Sequence, residues 1–187
     1  DREIGDIRDI WAKFTTGVAV ITTIEEGHDT GNLRGAVADE SFSQLEVHGM
    51  TANALCSVSV EPPLLLLSVG ISRRSKKLIE SKNRFGINFL NTLQLNIAVH
   101  FSTSDSVLDK AGGLDYWHTA TGTPMIVGSL AYIDCKVVNH FEVADHVIFI
   151  AEAEHFELGH GDPLVYYERG YTGIHERDAE PQDHPSG

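Results

Sequence analysis

GMTANALCSVSVEPPLLLLSVGISRRSKK, residues 49–77, carries the reading of the fold and of the site. Its first part, Met50 to Val60, reads as one strand, with Cys56, Val58 and Val60 on one face and Leu55, Ser57 and Ser59 on the other. Glu61-Pro62-Pro63 makes a turn, because proline cannot donate to a sheet ladder. Leu64 to Val69 is apolar on both faces and reads as a fully buried strand. Then Arg73, Arg74, Lys76 and Lys77 place four cations in five positions of a chain whose net charge is −13. Six of its 14 Lys and Arg lie between Arg73 and Arg84. Such a cluster is either a solvated helix face or an anion site.

On the N-terminal side, Ile4, Ile7, Trp11 and Phe14 recur at helical spacing, and Gly17 to Ile24 is a β-branched strand. Residues 25–48 form a long acidic connector or insertion. On the C-terminal side, Ser72 or Ser75 can cap a short helix anchored by Leu78 and Ile79. Phe85 to Leu90 is a buried strand, and Leu93, Ile97 and Phe101 mark a further helix. Ser102 to Gly122 is loop-like. Strands follow at Leu130–Val138, His146–Ala153 and Pro163–Tyr167, and residues 175–187 are a polar tail. Six or seven strands with three short helices imply a mainly β domain over residues 1–174, barrel-like with helical additions.

Composition narrows the function. The acidic balance repels nucleic acid and anionic lipid, and no run of about eighteen apolar residues is present to span a membrane. Cys56 and Cys135 form no CxxC and read as small core side chains in a reducing, cytoplasmic setting. Trp11 and Trp117 read as core or loop anchors. There is no GxGxxG, no GxxxxGK[ST], no GxSxG, no HExxH and no Cys/His quartet, so no metal site is expected.

What remains is the opening stretch. Thr51, Asn53, Ser57 and Ser59 present hydroxyls and an amide at strand spacing, which suits a planar hydrogen-bonding heterocycle. Ser72, Arg73 and Ser75 then arrive at a helix start, where backbone N–H groups, a guanidinium and hydroxyls suit a phosphate. Together they suit a nucleotide-type cofactor. The competing account is small residues filling a tight barrel beside a solvated helix.

The ordered set Phe14–Thr23, Gly49–Val69, Ser72–Ser75 and Phe85–Ser102 resembles the flavin reductase family, and Ala131–Val138, Ala144–Glu157 and Pro163–Ile174 resemble its later strands. The resemblance implies a split β-barrel of Greek-key type, generally homodimeric. It implies an NAD(P)H:flavin oxidoreductase that passes hydride from NADH or NADPH to FMN or FAD and supplies reduced flavin to a partner monooxygenase. It assigns Thr51, Ala52, Asn53 and Ala54 to the isoalloxazine and ribityl chain, with Ser57 and Ser59 on the same strand. It assigns Ser72, Arg73, Ser75 and Lys76 to the phosphate, and Phe101 and Ser102 to the flavin's surroundings. His146, as a positioning group, and Tyr171 fall on the nicotinamide side. Ala54 stands where many members carry serine, and the 25–48 connector is longer than the usual hairpin. The alternatives are a flavin-binding carrier or sensor without reductase activity and a heme- or metal-binding split barrel.

Overall fold

The computed structural model describes residues 6–25, 46–103, 106–108 and 114–174. Most of the connector and the tail 175–187 lie outside them. A short helix α1 (Ile7–Ala12) leads into β1 (Thr16–Gly17) and β2 (Ala19–Glu25). Then come β3 (Glu46–Ala52), β4 (Leu55–Ser59), β5 (Leu64–Gly70), α2 (Arg74–Lys82) and β6 (Arg84–Phe89). A 3-10 turn (Thr92–Gln94) opens α3 (Leu95–Thr103), which β7 (Ser106–Leu108), β8 (Tyr116–His118) and β9 (Pro124–Ile126) follow. β10 (Ala131–Val143), β11 (His146–Leu158), β12 (Leu164–Tyr167) and β13 (Gly170–Gly173) end the described chain.

Eight strands form one sheet in the order β4-β5-β11-β10-β6-β2-β3-β7. A three-stranded sheet β1-β12-β13 and a β8-β9 ribbon complete the architecture, and every pairing is antiparallel. This is the expected mainly β split barrel, with more strands than the six or seven read. The extra ones are short: β7 and β8 fall in the stretch taken as loop, and β13 returns along β12. The connector is also shorter than 25–48, because Glu46 to His48 pair with Thr23 to Glu25. The long hairpin β10–β11 pairs along its whole length, with register shifts at Asp134/Cys135 and Val137/Asn139.

One buried cluster includes Ile21, Met50, Leu67, Ile79, Phe85 and Phe149. It packs α2 against the sheet. A second, including Val20, Val47, Leu90, Ala98 and Phe101, packs α3 against it. Helix α2 ends at Asn83, whose left-handed conformation (φ 54°) stops the helix as a C-terminal asparagine does. Its N-cap is Arg73 with no side-chain cap, so neither Ser72 nor Ser75 serves as expected.

Met50 to Val60 is not one strand. The ladder breaks at Asn53–Ala54, where asparagine is a poor strand former and its amide Nδ2 donates to Thr16 Oγ1 at 3.2 Å. β3 therefore pairs with β2, and β4 pairs with β5. The Cys56/Val58/Val60 face at β4 is exposed among the described residues: Cys56 lies open, contrary to its core reading, while Cys135 is buried. Burial pushes the Cys135 thiol far up, so it stays protonated and inert. Trp11 is likewise exposed, edge-on to Phe14 at 6.0 Å. Trp117 packs on Tyr132.

Beneath β6 and β10 lies a buried polar node. Asp134 accepts from Arg84 (2.7 Å) and from the hydroxyls of Thr119, Thr121 and Thr123 at 2.5–2.9 Å. Arg84 also bonds Glu154. Burial alone would raise the Asp134 carboxyl, but these donors outweigh it and hold it below the ordinary carboxylate range.

Candidate functional site

A cleft of about 190 Å³ opens where three elements meet, lined by Val18, Thr51, Ala52, Asn53, Ser102, Tyr166 and Tyr171. The end of β3 supplies Thr51 and Ala52, and the strand break presents Asn53. The Thr51 hydroxyl donates to the Ala98 carbonyl at 2.7 Å and ties this wall to α3. That helix approaches closely because position 49 has no side chain. A Cβ there would lie 2.4 Å from the Phe101 ring, which is itself buried. Ser102, next along α3, reaches the cleft while its hydroxyl donates to the Val99 carbonyl at 2.8 Å. Tyr166 and Tyr171 oppose each other across β12–β13, ring centroids 5.4 Å apart.

At the N-terminus of α2, Ser72 and Arg73 are exposed. Ser75 is not: it is 1% exposed, and its Oγ lies 2.8 Å from Nε2 of the fully buried His48. Lys76 is drawn to Glu80 (3.2 Å) and Glu142 (3.5 Å), and Glu80 foremost raises its amine. The tip of the β10–β11 hairpin lies against this turn, with Ile71 N–H donating to the Asp145 carbonyl at 2.9 Å. Among the described residues no group of His, Cys, Asp and Glu gathers that could hold a metal ion.

A polar turn at a helix start and a mixed apolar and hydroxyl cleft suit a heterocycle bearing an anionic tail. The profile of the flavin reductase like domain matches residues 11–175. The chain belongs to the flavin reductase family. The reductase subunit HsaB of a flavin-dependent monooxygenase from Mycobacterium tuberculosis H37Rv is 32% identical over 177 residues, 93% of this chain and 84% of that one. The solved flavin reductase PheA2 is 32% identical, with a TM-score of 0.72 over 91% of this chain and 97% of that one. The NADH:FAD oxidoreductase SgcE6 of Streptomyces globisporus, solved with NAD and FAD fragments, matches at 25% identity and TM-score 0.73 over 98% of this chain and 100% of that one.

Of the residues that the family resemblance singled out, Thr51, Ala52, Asn53, Ser102 and Tyr171 line one cleft. Ala54 is exposed at the strand break and Phe101 is packed behind the wall. Ser57 and Ser59 do not join them. They line a separate, largely apolar groove of about 310 Å³ with Leu55, Ile87 and Phe89. His146 also stands apart from the cleft lining. It opens β11 opposite Gly70, beside the cationic turn, with Nδ1 2.8 Å from Asp145 Oδ1. Val18 and Tyr166 were missed by sequence reasoning. Tyr166 had a signal, since a tight Tyr167–Gly170 turn puts it opposite Tyr171.

Proposed function

We propose that this chain reduces FMN or FAD with NADH or NADPH at the cleft between β3, α3 and the β12–β13 hairpin, and delivers reduced flavin to a separate monooxygenase. The observation that carries the reading is the convergence of Thr51, Asn53, Ser102, Tyr166 and Tyr171 on one cleft in a chain whose relatives are flavin reductases. The residues fit a flavin. Val18 and the tyrosines offer an apolar surface for a planar ring, and Thr51, Asn53 and Ser102 offer polar groups for its edge.

When bound, the two nucleotides would supply the chemistry, hydride transfer from C4 of the nicotinamide to N5 of the flavin. The chain contributes position. The end of β3 fixes the ring plane, held by the Thr51–Ala98 bond. The N–H groups of Asn53 and Ala54, outside both ladders, are suited to the electron-rich edge of the ring. Ser72, Arg73 and the start of α2 take the phosphate, with Lys76 beside them sharing its charge with Glu80 and Glu142. His146 positions the pyridine nucleotide beside this turn. The transfer itself requires no acid–base residue.

The protein acts as a cytoplasmic homodimer without nucleic-acid or membrane partners. Its net charge of −13 supports the exclusion of nucleic acid. Among the described residues no helix is long and apolar enough to cross a membrane. The uncovered Ile7, Ile10, Trp11 and Phe14, each about 64–65% exposed, support a subunit contact. Residues 1–174 act as one flavin-binding domain.

The test is NADH consumption at catalytic protein concentration with added FMN or FAD. Turnover that saturates with flavin is expected. Flavin binding without turnover would leave a carrier or sensor instead.

A further inference from the structure

We propose that His48 and Ser75 are positioning residues that set the distance between the cleft and the cationic turn, so that a flavin's ring and phosphate are held together. The inference rests on reading that turn as the phosphate site. His48 lies on β3, fully buried, three residues before Thr51 reaches the cleft. Ser75 lies in the first turn of α2, two residues after Arg73, and is 1% exposed. Their 2.8 Å contact directly joins the strand that forms the cleft wall to the helix that presents the turn.

Helix α2 is also held by Ile79, in one buried cluster with Ile21, Met50 and Phe85, and by part-exposed contacts of Lys76 with Glu142 and of Glu80 with His140, which tie it to β10 rather than to β3. Apolar side chains hold a helix against a sheet without fixing its position along it, since the attraction has no direction. A buried polar pair has both length and direction, and a shifted helix would break the bond between two desolvated groups. The His48–Ser75 bond therefore fixes the register of α2 on β3. A displacement of about 1 Å between substrate-holding groups is enough to change turnover severely. The Ser75 hydroxyl, turned inward onto His48, acts on the phosphate only through this register. Direct contact falls to Ser72, Arg73 and the helix N–H groups.

The test compares FMN with riboflavin, which lacks the phosphate, using NADH as donor. The readout is the ratio of KM for riboflavin to KM for FMN. Ser75→Ala lowers this ratio roughly fivefold, the worth of about one neutral hydrogen bond. His48→Gln, whose amide can donate or accept near the place of Nε2, leaves it within about twofold. Ser75→Cys, of similar size but both a weak donor and a weak acceptor, gives the same fall should the alanine variant fail to fold. Loss of stability alone would not move the ratio. Arg73→Ala provides the control on the site itself. If Arg73→Ala lowers the ratio and Ser75→Ala raises both KM values equally, or neither, the positioning role is refuted while the phosphate site stands. If Arg73→Ala also leaves the ratio unchanged, the reading of the turn fails and the inference falls with it.

Discussion

Replacing Gly49 by alanine tests how the cleft wall is built. The added methyl would lie 2.4, 2.6 and 2.7 Å from three atoms of the Phe101 ring. Carbon atoms in contact sit about 3.5–4.0 Å apart, so the ring must retreat by about 1 Å. Phe101 is 2% exposed, and the space around it is already filled by Val47, Leu90 and Ala98. The retreat must therefore be taken up by α3. Overpacking of this kind costs about 1–3 kcal/mol. For a chain of this size each kcal/mol lowers Tm by about 2–4 °C, so a fall of about 5 °C is expected. The same helix supplies the Ala98 carbonyl to Thr51 and carries Ser102, so KM for flavin rises severalfold as well. Thermal unfolding and flavin-dependent NADH consumption read the two effects, and Phe101→Leu added to Gly49→Ala restores both. A Gly49→Ala protein with Tm within about 1 °C of wild type and an unchanged KM would refute the reasoning.

Three further outcomes follow from other contacts. Thr51→Val removes the donor to Ala98, which costs about 1 kcal/mol of stability and raises KM for flavin severalfold, read by Tm and steady-state kinetics. Asp134→Asn weakens the node with Arg84 and lowers stability by about 3 kcal/mol at neutral pH. Because the folded carboxyl titrates below its unfolded value near 4, the stability it adds is present above that value and is lost as pH falls through the folded one; wild type shows this acid step in thermal unfolding, and Asp134→Asn lacks it. Trp11→Ser with Phe14→Ser removes exposed apolar surface from α1 and its C-terminal flank, and shifts the proposed dimer to monomer in sedimentation without lowering Tm.

Much of the strand framework was legible because β-branched and aliphatic runs such as Gly17–Ile24 and Leu64–Val69 match the period and burial of strands. The missed features depend on tertiary neighbours. Asn53 breaks the long strand through a side-chain bond to Thr16, 37 residues earlier. Cys56 alternates like a core residue, but its strand lies at the sheet edge. His48 was absorbed into the acidic connector, and its value appears only when α2 places Ser75 against it. The site was legible in part for the same reason. Thr51, Ala52 and Asn53 are consecutive and stay together, whereas Ser57 and Ser59 follow β4 to another groove. Leu93 was read into the apolar stripe of α3 by spacing, yet it sits in the preceding 3-10 turn and is 89% exposed.

The most direct test of the central claim is a crystal structure of the protein with FMN bound. The isoalloxazine ring is expected along Thr51–Asn53, facing Tyr171, with the phosphate against Ser72 and Arg73. Flavin seated instead in the apolar groove of Leu55, Ser57 and Phe89 would contradict that claim.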